Sequence, residues 1–375
     1  MLQSNPFVIY GYESKEYFCD RVEETRQMVQ LLTQTGNVLL TAQRRIGKTG
    51  LIEHCFHQEE IQGHYHTFLI DIYATKNLNE FVYLFGKSVM DTLRTQGQTV
   101  WSRFLTFLSS LRPNVTFDAM GMPSWGIEIG DIKTPQVTLQ EIFSYLEQAD
   151  KPCIVAFDEF QTIASYPEKN IEALLRTYIQ HCKNVRFVFS GSQRHLLAEM
   201  FNTAARPFYQ STVQMTLLPI VLDHYTDFAR HHFQAFGKDI LPATVETVYQ
   251  CFDGITWYVQ YLLNVLFTMT SVREVCTPDR VEDAIGTIMA QMDYSMSSLI
   301  FQLPAKQKEL LWALCREGKT QNLTAKKFLN KYKLTASMVQ AAIKGLLEKD
   351  YVTCELGTYF VYDKFLAEWM LRRMS

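Results

Sequence analysis

"LLTAQRRIGKTGLIEHCF", residues 39–56, decides how the chain folds. An apolar strand runs into a polar turn, then Gly47-Lys48-Thr49, then an apolar helical pattern. A phosphate-binding loop needs these parts: an anchoring strand, a turn whose N–H groups face inward, and a helix N-terminus aimed at the anion. Gly47 lets the backbone close on phosphate without a Cβ in the way. Lys48 would neutralise β- and γ-phosphate charge, and Thr49 would offer its hydroxyl to Mg²⁺. Gln43, Arg44, Arg45, Ile46 and Gly50 complete the candidate loop. Ala42 stands where the consensus has its first glycine, five positions before Gly47. Taken alone, the stretch fits an exposed basic loop capping a helix equally well.

A second element changes the balance. "CIVAFDEF" (153–160) is an apolar strand ending in Asp158 and Glu159. Paired carboxylates at the end of a buried strand must find a cation or stay solvated. Asp158 can hold Mg²⁺, and Glu159 can orient and deprotonate an attacking water. The alternative is a helix cap after the strand. "RFVFSGSQRH" (186–195) ends in small polar residues, of which Ser192, with Ser190 as fallback, is the candidate to touch a γ-phosphate or the lytic water. An ordinary polar turn is the competing reading.

Around these motifs, strand-like runs at 37–42, 66–72, 152–159, 186–192 and 213–218 alternate with helical patterns. That alternation predicts a parallel, helix-covered sheet. Residues 111–133, "LRPNVTFDAMGMPSWGIEIGDIK", break the rhythm and read as a β-hairpin insertion. The strands stop near residue 221, and helical patterns follow to about 298. The expected division is an α/β domain over 1–220, a helical lid over 221–298 and a third module over 299–375.

Composition sets outer limits. The net charge of −3 gives no whole-molecule attraction to nucleic acid or membrane. It hides an asymmetry: residues 300–375 carry 13 Lys and Arg against 7 Asp and Glu. Eight scattered cysteines with no C-x-x-C pair argue for a reduced compartment, without a zinc site or disulfide framework. "MLQSNPFVIYGYES" lacks the layout of a signal peptide, and the apolar run 257–272 is too short to span a bilayer. The expectation is a cytoplasmic protein. The nine histidines form no metal-ligand motif.

"LLTAQRRIGKTGLI", "IVAFDEFQTI" and "FVFSGSQRHLLAEMF" together resemble the archaeal-type ATPases of the STAND class, relatives of AAA+ P-loop proteins. "YFCDRVEETRQMVQLL" (17–32) is similar to that family's F-x-x-R-x-x-E segment near the adenine, making Tyr17 or Phe18 the candidate to stack on the base. The resemblance implies a parallel five-stranded sheet in the order 5-1-4-3-2, ATP or ADP with Mg²⁺ as cofactors, Ser192 within reach of the γ-phosphate, and Glu159 as catalytic base. Ala42 is one departure from the family pattern. Thr256 in "FDGITWYVQYLL" (252–263) replaces the proline of a G-x-P turn, which should loosen it. Ser211 in "RPFYQST" (206–212) stands where an arginine is usual. Arg206 is the candidate replacement, as a sensor or arginine finger, against a plain surface role.

The basic C-terminal stretch reads as helix, helix, helix, hairpin and closing helix, the layout of a winged helix, which similar ATPases also carry. "TASMVQAAIKGLLEKD" (335–350) would be the recognition helix, with Ser337, Gln340 and Lys344 on one face. Its partner is DNA, another protein, or the rest of the chain. Two functions stay open. One is a nucleotide-controlled switch that hydrolyses ATP slowly and repositions the winged helix, with a nucleotide-dependent oligomer as one way of completing the site. The other is a non-hydrolysing scaffold or DNA-binding regulator.

Overall fold

A computed structural model of the chain describes residues 5–34, 36–95, 114–117, 123–126 and 132–373. It divides into two compact units. The first comprises Met1–His232 with Asp253–Asn264, and the second Phe233–Phe252 with Val265–Ser375.

Five strands build the first unit: β1 (Val38–Ala42), β2 (His66–Asp71), β5 (Cys153–Asp158), β6 (Val185–Gly191) and β7 (Val213–Leu217). They lie in the spatial order β2-β5-β6-β1-β7, and all four pairings are parallel. Counting only this sheet's strands, the order is 2-3-4-1-5, which is the expected 5-1-4-3-2 read from the other edge. β1 and β5 are buried along their whole length, as strands covered by helices on both faces must be. Their branched and aromatic side chains suit that setting. Phe157 of β5 and Phe187 and Phe189 of β6 stack within one core, joined by Phe81, Phe85, Phe160, Phe201 and Phe208. β3 (Asn114–Phe117) pairs antiparallel with β4 (Pro123–Gly126), and the rest of the 111–133 insertion, apart from residues 132 and 133, lies outside the described residues.

Parallel strands place their C-terminal ends on one edge, where open α/β sheets bind ligands. Here that edge collects the turn after β1, Asp71, Asp158 and the end of β6. In the β2–β5 register Asp71 lies directly beside Asp158.

The second unit is mainly helical. Helices Pro242–Cys251 and Arg280–Phe301 accompany a short parallel pair, β8 (Asp239–Ile240) with β9 (Val275–Cys276). Helices Ala305–Glu317, Lys326–Tyr332 and Ala336–Glu348 follow, then a three-stranded antiparallel sheet of β10 (Lys319–Thr320), β12 (Thr358–Val361) and β11 (Val352–Glu355), and the closing helix Lys364–Arg373. Thr335 caps the helix Ala336–Glu348 by accepting from Met338 N at 3.3 Å. That helix buries Val339, Ala342 and Leu346 and leaves Ser337, Gln340 and Lys344 exposed. Among the described residues no helix is long and apolar enough to cross a membrane. All eight cysteines are free thiols.

Candidate functional site

The turn between β1 and the helix Lys48–Phe56 is shaped by two left-handed residues, Arg45 (φ 67°) and Gly47 (φ 96°). Ala42 is not one of them. It is fully buried, ends β1 in extended backbone, and pairs with Leu217 of β7. A methyl group costs nothing there, so the missing glycine leaves the turn intact. Gly47 at the N-terminus of the helix and Thr49, two residues on, are exposed, and Lys48 between them is buried.

Burial lowers the pKa of Lys48, and Arg44 pushes in the same direction, while Glu159 and Asp158 oppose the shift. A desolvated ammonium of this kind gains most from an added anion. Thr49 Oγ1 donates to Asp158 Oδ2 at 2.6 Å. Ser190 Oγ, itself fully buried, donates to Asp158 Oδ1 at 2.7 Å. The Glu159 N–H also reaches Asp158 Oδ1, at 3.0 Å, across a left-handed residue (φ 55°). Thr49 and Asp158 thus form an all-oxygen pair beside the turn after β1. A hard cation completed by nucleotide oxygens and water would suit it. Among the described residues no group of three or more His, Cys, Asp or Glu could hold a metal without such help.

Glu159 turns the other way from Asp158. Its Oε2 accepts from Ser192 Oγ at 2.9 Å, and Ser192 Oγ accepts in turn from Arg44 Nε at 3.0 Å. Asp71 completes the acidic edge. Burial raises its pKa, the Tyr73 N–H lowers it, and the charges of Asp158 and Glu159 raise it again.

Two distant segments grip the loop. Arg21, buried and left-handed (φ 67°), binds Glu24 Oε1 at 2.8 Å and reaches the Ile46 carbonyl at 3.3 Å. Thr256 Oγ1 donates to that same carbonyl at 2.9 Å, and Trp257 N donates to Arg45 O at 3.0 Å. The Arg45 guanidinium lies 4.4 Å over the Trp257 ring and 4.9 Å over Tyr258, with a hydrogen bond to the Tyr258 hydroxyl. Where a proline could offer no donor, Thr256 adds a bond to the loop. The position that departs from the G-x-P pattern thus makes a specific contact with the turn after β1.

Of the remaining candidates, Phe18 stacks on His54 (4.2 Å between centroids, 16° between planes) and lies against Gly50, at the loop helix's first turn. Tyr17 sits farther out, 5.6 Å from the His232 ring. Gln43 and Ile46 lie in the turn itself, half-buried and buried. Arg206 is not brought into this cluster. Its guanidinium pairs with Glu172 at 3.1 Å and Glu199 at 3.4 Å. Arg21, Gln161 and the aromatic pair Trp257–Tyr258 had no place among the candidates, although the F-x-x-R-x-x-E pattern pointed at Arg21.

A family model described as an ATPase domain predominantly from Archaea matches residues 18–262. The chain belongs to this ATPase family. A second model, a probable winged helix domain, matches residues 294–372. No curated protein matches the chain. Among solved structures, this archaeal-type ATPase resembles a Walker-type ATPase of Pyrococcus abyssi (TM-score 0.65, 19% identity, 98% of this chain and 99% of that one). It also resembles the ORC2 protein of Aeropyrum pernix in its ADPNP-ADP complexes (0.56, 11%, 100% and 99%). A third likeness is the ORC1 protein of the same organism in complex with DNA (0.51, 14%, 95% and 93%). At these identities the likeness is one of fold.

Proposed function

We propose that the chain is a Mg²⁺-dependent ATPase that turns over slowly and acts as a nucleotide-controlled switch, with 1–220 as catalytic core, 221–298 as lid and 299–375 as the repositioned winged helix. One observation carries this reading: Thr49 and Asp158 are in direct contact beside a buried Lys48, with Glu159 held separately on Ser192. Lys48 and the loop N–H groups from Arg44 to Gly50 would bind the phosphates, and Phe18 would lie beside the base. Thr49 and Asp158 would hold Mg²⁺, which supplies charge neutralisation of the phosphates when bound. Glu159 would take the proton of the attacking water, and Ser192 would orient it. A second reading, binding without hydrolysis, draws on Arg206, whose pairing with Glu172 and Glu199 leaves the arginine finger to another chain or to none.

The exposed Ser337, Gln340 and Lys344 give the winged helix a docking face, for which DNA or a protein surface is the partner class.

The test is ATP hydrolysis and nucleotide binding by wild type, Lys48→Ala and Glu159→Gln. Lys48→Ala should lose binding. Glu159→Gln should bind normally and lose turnover by about 10²-fold or more, the usual contribution of a general base. Binding without cleavage in all forms, with and without DNA, would select the second reading.

A further inference from the structure

Gln161 stands in the short 3₁₀ segment Phe160–Ser165 that follows β5, and only 4% of it is exposed. Its Nε2 donates to Glu159 Oε2 at 2.5 Å. The same oxygen accepts from Ser192 Oγ at 2.9 Å and Ser192 N at 3.3 Å. Among the described residues, all hydrogen bonds to this carboxylate fall on Oε2, and Oε1 is left as the oxygen that can accept from water.

The placement of Gln161 is not one that packing alone would select. Its Oε1 is buried with no hydrogen-bond partner among the described residues, a condition that folded proteins generally avoid. Its amide also fills space that only a glycine leaves. A Cβ on Gly191 would lie 2.0 Å from Gln161 Oε1 and 2.9 Å from Leu197 Cδ1. A methionine or leucine would fill a buried position of this size without an unpaired oxygen. What glutamine adds is the N–H group aimed at Glu159.

We propose that Gln161 is a positioning residue for hydrolysis. Together with Ser192 it pins Oε2 of Glu159, so that Oε1 is presented to the attacking water, and Gly191 is the residue that makes room for it. The terminal torsion of a glutamate is broad and soft, so a carboxylate without this pin would samples many orientations unsuited to proton transfer. The proposal rests on the reading of Glu159 as the base, and the experiment separates the two.

ATP turnover, and binding of a fluorescent ATP analogue, are measured on the full chain for wild type, Gln161→Met, Gly191→Ala, Glu159→Gln and the double variant Glu159→Gln/Gln161→Met. Gln161→Met keeps the volume and removes the donor. It should lower kcat by about 10-fold, with KM and analogue Kd within about twofold of wild type, the signature of lost orientation rather than lost binding. Gly191→Ala, which displaces the amide with the glutamine still present, should act in the same direction. In the double variant Gln161→Met should cost nothing further, because its effect runs through Glu159. Should Gln161→Met fail to fold, Gly191→Ala decides by the same split between kcat and KM. An unchanged kcat in Gln161→Met, with Glu159→Gln inactive, overturns the proposal and leaves the base assignment standing. A raised kcat overturns it too, since the bond would then park the carboxylate instead of aiming it. If Glu159→Gln turns over like wild type, the base assignment itself fails.

Discussion

Ala42 shows how one residue can break a motif's spelling and leave the turn's backbone geometry intact. A glycine is favoured where the backbone is left-handed and is needed where a Cβ would collide. Ala42 meets neither condition, since it is extended and paired in β1, and Arg45 and Gly47 take the left-handed positions instead. Restoring the consensus should therefore not help. Ala42→Gly should leave nucleotide affinity unchanged and lower stability by roughly 0.5–1 kcal/mol, the cost of glycine inside a strand. Denaturant titration beside nucleotide binding checks both halves, and tighter binding by the glycine variant would contradict this account. The Arg45 side chain makes a related point. Its charge reads as part of a basic loop, yet in the fold it rests on the rings of Trp257 and Tyr258.

At the scale of elements, what holds the loop comes from both ends of the first unit's sequence. The Ile46 carbonyl accepts from Arg21, before the first helix, and from Thr256, at the start of the helix Thr256–Met269. Removing the shorter bond with Thr256→Val should loosen the turn. A net hydrogen bond is worth about 1 kcal/mol, so nucleotide affinity should fall about fivefold. Thr256→Ser should stay near wild type, and calorimetric titration of the pair distinguishes hydroxyl from shape. The loop helix carries a second dependence, through His54 under Phe18. Burial lowers the His54 pKa from 6.5 to about 4, with Lys15 and His57 adding repulsion. The folded protein thus holds a neutral imidazole where the unfolded chain would protonate first. Stability from this group is present above pH 6.5 and is lost as pH falls toward 4. The acid side of a Tm-against-pH curve should be flatter in His54→Gln, and parallel curves would exclude His54 as the source.

For the whole molecule, the strands and their sheet were legible because apolar runs and Gly47-Lys48-Thr49 are local patterns with direct physical meaning. Asp158 and Glu159 were legible for the same reason: acids at the end of a buried strand demand a partner. Gln161 was not, because a single glutamine in a 3₁₀ segment has no period, and Gly191 looked like one small residue among several. The engagement of Arg206 with Glu172 and Glu199 was equally hidden, since the pairing joins residues that only folding brings together. The most consequential contact joins residues 210 positions apart in sequence, Ile46 and Thr256. The helix Thr256–Met269 touches the turn after β1 through Thr256, Trp257 and Tyr258, and its chain continues past Asn264 into the second unit. A change of loop shape on binding ATP would act directly on the start of that helix, and a ligand shifts a conformational equilibrium only through such a difference between states. The proposed switch therefore predicts distinct forms: with a non-hydrolysable ATP analogue and with ADP, the full chain should give different X-ray scattering profiles and different protease cleavage patterns. Lys48→Ala should give one profile under both conditions, because it removes binding. Thr256→Val should bind both nucleotides more weakly and show a smaller difference at saturation, since the loop's grip on the helix is what transmits the change. Identical profiles for wild type in the two nucleotides would leave a nucleotide-binding fold with no switch.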